Sequence, residues 1–248
     1  MKSRAQELKS LIMYVGYHDG SATQLLPNTF DELPRVVRVC LGSKCYREED
    51  LQARRSVKML SDPLFQSQVG EFGMVLTALR HSESPSDKFI GIASWKYHVK
   101  SNTHEGGCSL IDWTKVDFRN NTIYFWCGSH NRNFYARQER YHPGLSKVIA
   151  EVSPIGVPAI RPGFHIYTGS FIASTEIVRN YAASARTLIR NMYARYPRLN
   201  STEDFCPFLK ADRHRCIGYV LERYLNMWIA NAGVEAVFAV DAISSNLY

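Results

Sequence analysis

Near the end of the chain, Asp212-Arg-His-Arg-Cys-Ile-Gly-Tyr-Val-Leu-Glu-Arg-Tyr-Leu-Asn-Met-Trp-Ile229 sets one carboxylate, Glu222, into an apolar helical stripe. The stripe is Ile217, Val220, Leu221, Leu225, Trp228 and Ile229, at the 3.6-residue period. Acidic side chains seldom sit beside a core face unless they are paired or put to use. Glu222 can pair with Arg223 or Arg215, or act as an acid or base on a bound group. Glu71, just ahead of Phe72-Gly-Met-Val-Leu, poses the same question, and Asp212 opens the segment that carries Glu222.

Other chemistries lack their residues. There is no Gly-x-x-x-x-Gly-Lys-Ser/Thr, and Gly16, Gly20 and Gly42 do not form Gly-x-Gly-x-x-Gly. No Gly-x-Ser-x-Gly elbow is present. Cys40, Cys45, Cys108, Cys127, Cys206 and Cys216 lie at irregular spacings without a Cys-x-x-Cys pair. With Cys127 inside the apolar run Tyr124-Phe-Trp, the expectation is free thiols, a reducing compartment and no structural metal. Asn200-Ser-Thr202 is an acceptor sequon that carries no weight without an export signal.

The 248 residues are 45% apolar and 21% charged, enough for a large core, and are read as one domain, 1–248. No apolar run is long enough to span a bilayer, and no export signal is visible, so a cytoplasmic location is expected. A net charge of +7 permits polyanions, nucleotides or anionic membranes as partners.

These residues are carried on alternating strands and helices. Leu11–Tyr17, Val36–Leu41, Phe89–Trp95, Thr122–Cys127 and Phe164–Ala173 read as strands. Glu49–Leu60, Phe65–Leu79, a short helix from His142, a long helix from Ser174 or Thr175 to Arg195, and Asp212–Ala230 read as helices. Gly233 is the expected stop of the last one, and 102–121 reads as an irregular excursion. The alternation predicts an α/β fold with a mostly parallel central sheet flanked by helices, with ligands bound beyond the carboxyl ends of the strands.

Four segments together are similar to the glycosyltransferase-like domain of bacterial capsule and lipopolysaccharide biosynthesis proteins, a family related to GT-A (Rossmann-like) nucleotide-sugar transferases. They are Tyr14-Val-Gly-Tyr-His-Asp-Gly20, Asp62-Pro through Glu71 with the following Asp87-Lys-Phe-Ile-Gly-Ile-Ala-Ser-Trp95, Tyr167-Thr-Gly-Ser-Phe-Ile-Ala173, and Gly218-Tyr-Val-Leu-Glu-Arg-Tyr-Leu-Asn-Met-Trp228. The last resembles the family's Gly-x-x-x-Glu-Arg-Leu ending. Where the family has His-Tyr-Arg-Arg, this chain has Ser94-Trp-Lys-Tyr97, and it has no Asp-x-Asp after that strand to hold manganese or magnesium.

The resemblance implies transfer of a sugar from a nucleotide-sugar donor to a glycan or lipid-linked acceptor, with possible peripheral membrane association. On that footing Glu222, Asp212 and Glu71, in that order, are candidates for the base that deprotonates the acceptor hydroxyl. Lys96, His98 and Arg161 are the cations to neutralise the departing diphosphate in place of a metal. Tyr14 and Tyr17 could stack on the base, with His18 and Asp19 bonding base or ribose, and Trp95, Trp113 and Asp112 could line the acceptor side. The competing reading is a non-catalytic binding module that contacts nucleic acid or an acidic partner through Arg132, Arg137, Arg140, Arg213 and Arg215.

Overall fold

The computed structural model describes residues 8–19, 33, 35–44, 57–82, 88–94, 113–126, 128–129, 139–156, 165–166, 170–200, 205–208 and 216–239. For residues 18, 19, 42–44, 114, 128, 129, 165 and 166 it describes the backbone alone.

The strands are β1 (Leu11–Asp19), β2 (Val36–Lys44), β3 (Phe89–Ser94), β4 (Thr122–Phe125), β5 (Gly128–Ser129), β6 (His165–Ile166), β7 (Phe171–Ser174) and β8 (Glu235–Phe238). The helices are α1 (Pro63–Val69), α2 (Phe72–His81), α3 (Leu145–Val152), α4 (Thr175–Arg195) and α5 (Cys216–Ala232). Short 3-10 turns occupy Lys58–Ser61, Trp113–Lys115 and Pro197–Asn200.

Six strands form one sheet in the order β2-β1-β3-β7-β4-β8. β2, β1 and β3 run parallel, β7 is antiparallel to both its neighbours, and β8 is parallel to β4. The expected mostly parallel α/β sheet is therefore present, with one strand reversed in its middle. β5 and β6 make a separate two-stranded pair.

Apolar residues on both faces explain why the central strands are continuous hydrophobic runs rather than alternating ones. One core cluster takes Ile12, Tyr14, Ile90, Ile92 and Phe125 against α1, α2, α4 and α5. The other takes Leu11, Met13, Val15, Ala93 and Tyr124 against Trp113, Phe118 and Trp126. At Gly16 a Cβ would stand 2.3 Å from the Met74 sulfur, so the missing side chain is what lets α2 lie on β1.

The stretch read as one helix over Phe65–Leu79 is two. α1 starts at Pro63, with Asp62 accepting the Leu64 N–H at 2.9 Å. It stops at Gly70, whose φ of 55° is open to glycine at little cost, and α2 restarts after Glu71. The strand read over Phe164–Ala173 divides into β6 and β7, and β8, which the pattern did not mark, adds an edge. Most of the expected Glu49–Leu60 helix lies outside the described residues. α4 matches its expected span, with the Ser174 hydroxyl accepting from Ile177 N–H at 3.4 Å, and α5 ends before Gly233 at φ 65°.

The reading of the cysteines as free thiols is overturned. Cys206 and Cys216 are joined in a disulfide with their Cα atoms 5.7 Å apart, and Cys40 is also disulfide-bonded. None of the described cysteines is free. Such bonds persist in oxidising compartments, so the argument for a reducing one falls. Among the described residues no helix is long and apolar enough to cross a membrane.

The Cys206–Cys216 bond ties the first residue of α5 to a segment ten positions earlier. Closing so short a loop in the unfolded chain is worth roughly 2–3 kcal/mol. Cys206→Ser/Cys216→Ser is expected to lose about that much stability in urea unfolding. Alkylation of the parent protein without reductant, followed by proteolysis, should leave both residues unmodified in one linked fragment; labelled thiols at these positions would refute the bond.

Candidate active site

The two described carboxylates singled out by sequence meet in one cleft. It is lined by Glu71 and Phe72 at the start of α2, Ile92 of β3, Phe171 of β7, Tyr181 of α4, and Gly218, Leu221, Glu222 and Leu225 of α5, with Val69 and Val75 beside them. It is narrow in this state, with a cavity volume of about 40 Å³. Ile92 lies toward the carboxyl end of β3, and Phe171 begins the reversed β7. The cleft thus opens by the sheet edge where α/β proteins bind ligands.

Close approach of α5 to α1 makes the meeting possible. A Cβ on Gly218 would stand 3.3 Å from the Gln68 carbonyl oxygen and 3.5 Å from that of Val69. Gln68 is itself buried and held from two sides: its amide donates to the Leu199 carbonyl at 2.6 Å, and Tyr193 donates to its Oε1 at 2.8 Å. One helical turn beyond Gly218, Glu222 reaches the cleft wall that Glu71 enters from the α1–α2 junction.

Of the two sequence readings of Glu222, pairing with Arg223 is the one seen directly. Arg223 Nη1 donates to its Oε2 at 2.6 Å, and the same nitrogen donates to the Tyr219 carbonyl at 3.1 Å. Arg223 is 5% exposed, so this cation is placed from inside α5 and fixes the rotamer of a carboxylate whose side chain keeps 25% exposure. On the facing wall the Tyr181 hydroxyl donates to the Leu221 carbonyl at 3.3 Å. Burial first, then the neighbouring Tyr224 and Glu222, push the Tyr181 hydroxyl well above the usual phenol range. It therefore serves as a neutral donor.

Three other expectations are corrected. Tyr14 and Tyr17 are 0% and 1% exposed. β1 has a strand on each side and packed side chains on both faces, so neither ring has an open face for a base. Trp113 is 2% exposed and sits edge-on to Trp126 at 4.9 Å between ring centres, which makes it core and not an acceptor platform. His18 and Asp19 end β1, and their side chains are not described. Asp212, Lys96, His98, Arg161, Trp95 and Asp112 lie outside the described residues, as do Arg132, Arg137, Arg213 and Arg215.

Tyr181 and Gly218 are site residues that the sequence reading passed over. Tyr181 lay within the expected long helix with no role assigned, and Gly218 only within a motif. Among the described residues no group of three or more histidine, cysteine or acidic side chains is placed to hold a metal. The chain matches no protein-family model, no curated protein and no solved structure.

Two outcomes follow. Gly218→Val should force α5 off the α1 carbonyls and cost roughly 1–3 kcal/mol by overpacking, seen as a lower thermal midpoint; an unchanged midpoint would contradict the close approach. Tyr181 has its pKa raised by folding. Its stabilising contribution is complete below about pH 10, the unfolded phenol value, and is lost as pH climbs toward the folded value. In a 295 nm titration of Tyr181→Phe, the cooperative alkaline step should shrink by one phenol relative to the parent; loss from the early, exposed-phenol phase would be the contrary result.

Proposed function

We propose that the chain is a glycosyltransferase of GT-A type that moves a sugar from a nucleotide-sugar donor to the hydroxyl of a glycan or lipid-linked acceptor. The observation that carries this reading is the convergence of Glu71 and Glu222, from distant parts of the sequence, on one cleft beside the ends of β3 and β7. Glu222 belongs to the Gly-x-x-x-Glu-Arg-Tyr segment and Glu71 to the Asp-Pro segment that suggested the family, so two of its quoted pieces meet in space.

In this reading Glu222 takes the proton of the acceptor hydroxyl as that oxygen attacks the anomeric carbon, and the bond to the nucleoside diphosphate breaks. Arg223 orients the carboxylate from behind. Glu71 sits at the N-terminal end of α2, where the helix dipole favours a negative charge, and hydrogen-bonds sugar hydroxyls. The charge on the leaving diphosphate is left to Lys96, His98 and Arg161, or to a cation brought with the donor.

A thermal-shift screen against UDP-, GDP- and dTDP-sugars, each with and without manganese, tests the reading. One nucleotide class should give a saturable shift. Glu222→Gln should then keep that shift while turnover falls ~10²–10⁴-fold, the range for loss of a general base. No shift with any donor, together with salt-sensitive nucleic-acid binding, would favour the basic binding module instead.

A further inference from the structure

On the outer side of α2 and α4, away from the cleft, two grooves run into one another, sharing Leu76 and Arg186. The first has an apolar floor of Phe65, Leu76, Ile189 and the Tyr193 ring, with Met59 at its lip, 46% exposed. The second is ringed by Lys58, Arg80, Arg179 and Arg186 over Val57, Leu79 and Ala182. Each encloses about 1050–1080 Å³ of open space.

The cations stand in a line because of helix geometry. Arg179, Arg186 and Arg190 are seven and four residues apart on α4, so all three project from one face, and all are exposed. Arg190 donates to Thr187 Oγ1 at 3.0 Å, a bond that leaves its charge unbalanced. No ion pair holds Arg179 or Arg186 among the described residues. Glu176, three residues before Arg179, lines neither groove. An apolar trough that continues into a cluster of guanidinium groups complements a molecule with an apolar end and an anionic end.

We propose that this face docks on an anionic membrane surface and takes in one phospholipid, its acyl chain over Met59, Phe65 and Ile189 and its phosphate at Arg179 and Arg186. The site is independent of the glycosyltransferase reading. It gives the chain a peripheral membrane attachment that requires no spanning helix.

Co-sedimentation with phosphatidylcholine vesicles, with and without phosphatidylserine, tests it on the full chain. Binding is expected to need the anionic lipid. Arg179→Gln/Arg186→Gln should weaken it roughly thirtyfold, at about five- to sixfold per basic residue. Met59→Ser should weaken it about tenfold, through lost apolar burial. Arg140→Gln/Lys147→Gln removes the same charge from exposed positions that line neither groove and should leave binding near the parent's. Equal losses in both pairs would mean attraction by net charge alone and would overturn the site. So would equal binding to neutral vesicles, or no binding at all.

Discussion

The position of α5 against the α1–α2 junction is the constraint from which the candidate site follows. Ten of the seventeen residues of α5 are buried, so the helix is packed around most of its circumference and has little freedom to rotate. Its depth is set by Gly218 against two backbone carbonyls that cannot move aside as a flexible side chain could. Those carbonyls belong to the last turn of α1, which the buried Gln68 anchors to α4 and to the Pro197–Asn200 turn. The disulfide at Cys216 adds a covalent limit at the start of the same helix. A shift of α5 would move Glu222 relative to Glu71 in the cleft that both line.

Polar contacts hold the α4–α5 wall where apolar packing alone would allow sliding. Ser184 and Tyr224 share a hydrogen bond of 2.6 Å, and Tyr181 reaches the Leu221 carbonyl one turn away. The Tyr181 ring also lies edge-on to Phe72 and Phe171, at 5.9 and 6.5 Å between centres. A single aromatic residue on α4 thereby touches α2, β7 and α5, the elements that form most of the cleft wall. Preorganisation of this kind is what a site needs if a carboxylate is to meet its partner without reorganising.

Much of the fold was legible because it rests on local pattern. Continuous apolar runs gave β1, β2 and β3, and the long helix read from Ser174 or Thr175 to Arg195 is α4, capped by Ser174. The failures share a cause, which is dependence on distant partners. Phe65, Val69, Phe72 and Val75 keep helical spacing across Gly70, so periodicity could not register the break. Tyr14 and Tyr17 looked accessible because nothing local says that β1 is flanked on both sides and packed on both faces. Cys206 and Cys216 are a pair only by virtue of Cα atoms brought 5.7 Å apart. Glu71 and Glu222 each stood out as carboxylates beside apolar stripes, but that they line one cleft is a property of tertiary packing alone.

β8 joins the sheet by pairing in parallel with β4, register Thr122 to Glu235 through Phe125 to Phe238. The joint is reinforced where Glu235 accepts from Thr122 Oγ1 at 3.0 Å and pairs with Arg119 at 3.4 Å. During synthesis on the ribosome, β4 emerges long before its partner, and its outer backbone edge must wait with unmet amide and carbonyl groups. Only when β8 arrives does that edge close, and with it the strand that directly follows α5. Assembly of the sheet and seating of the Glu222 helix are thereby coupled, because β8 directly follows that helix.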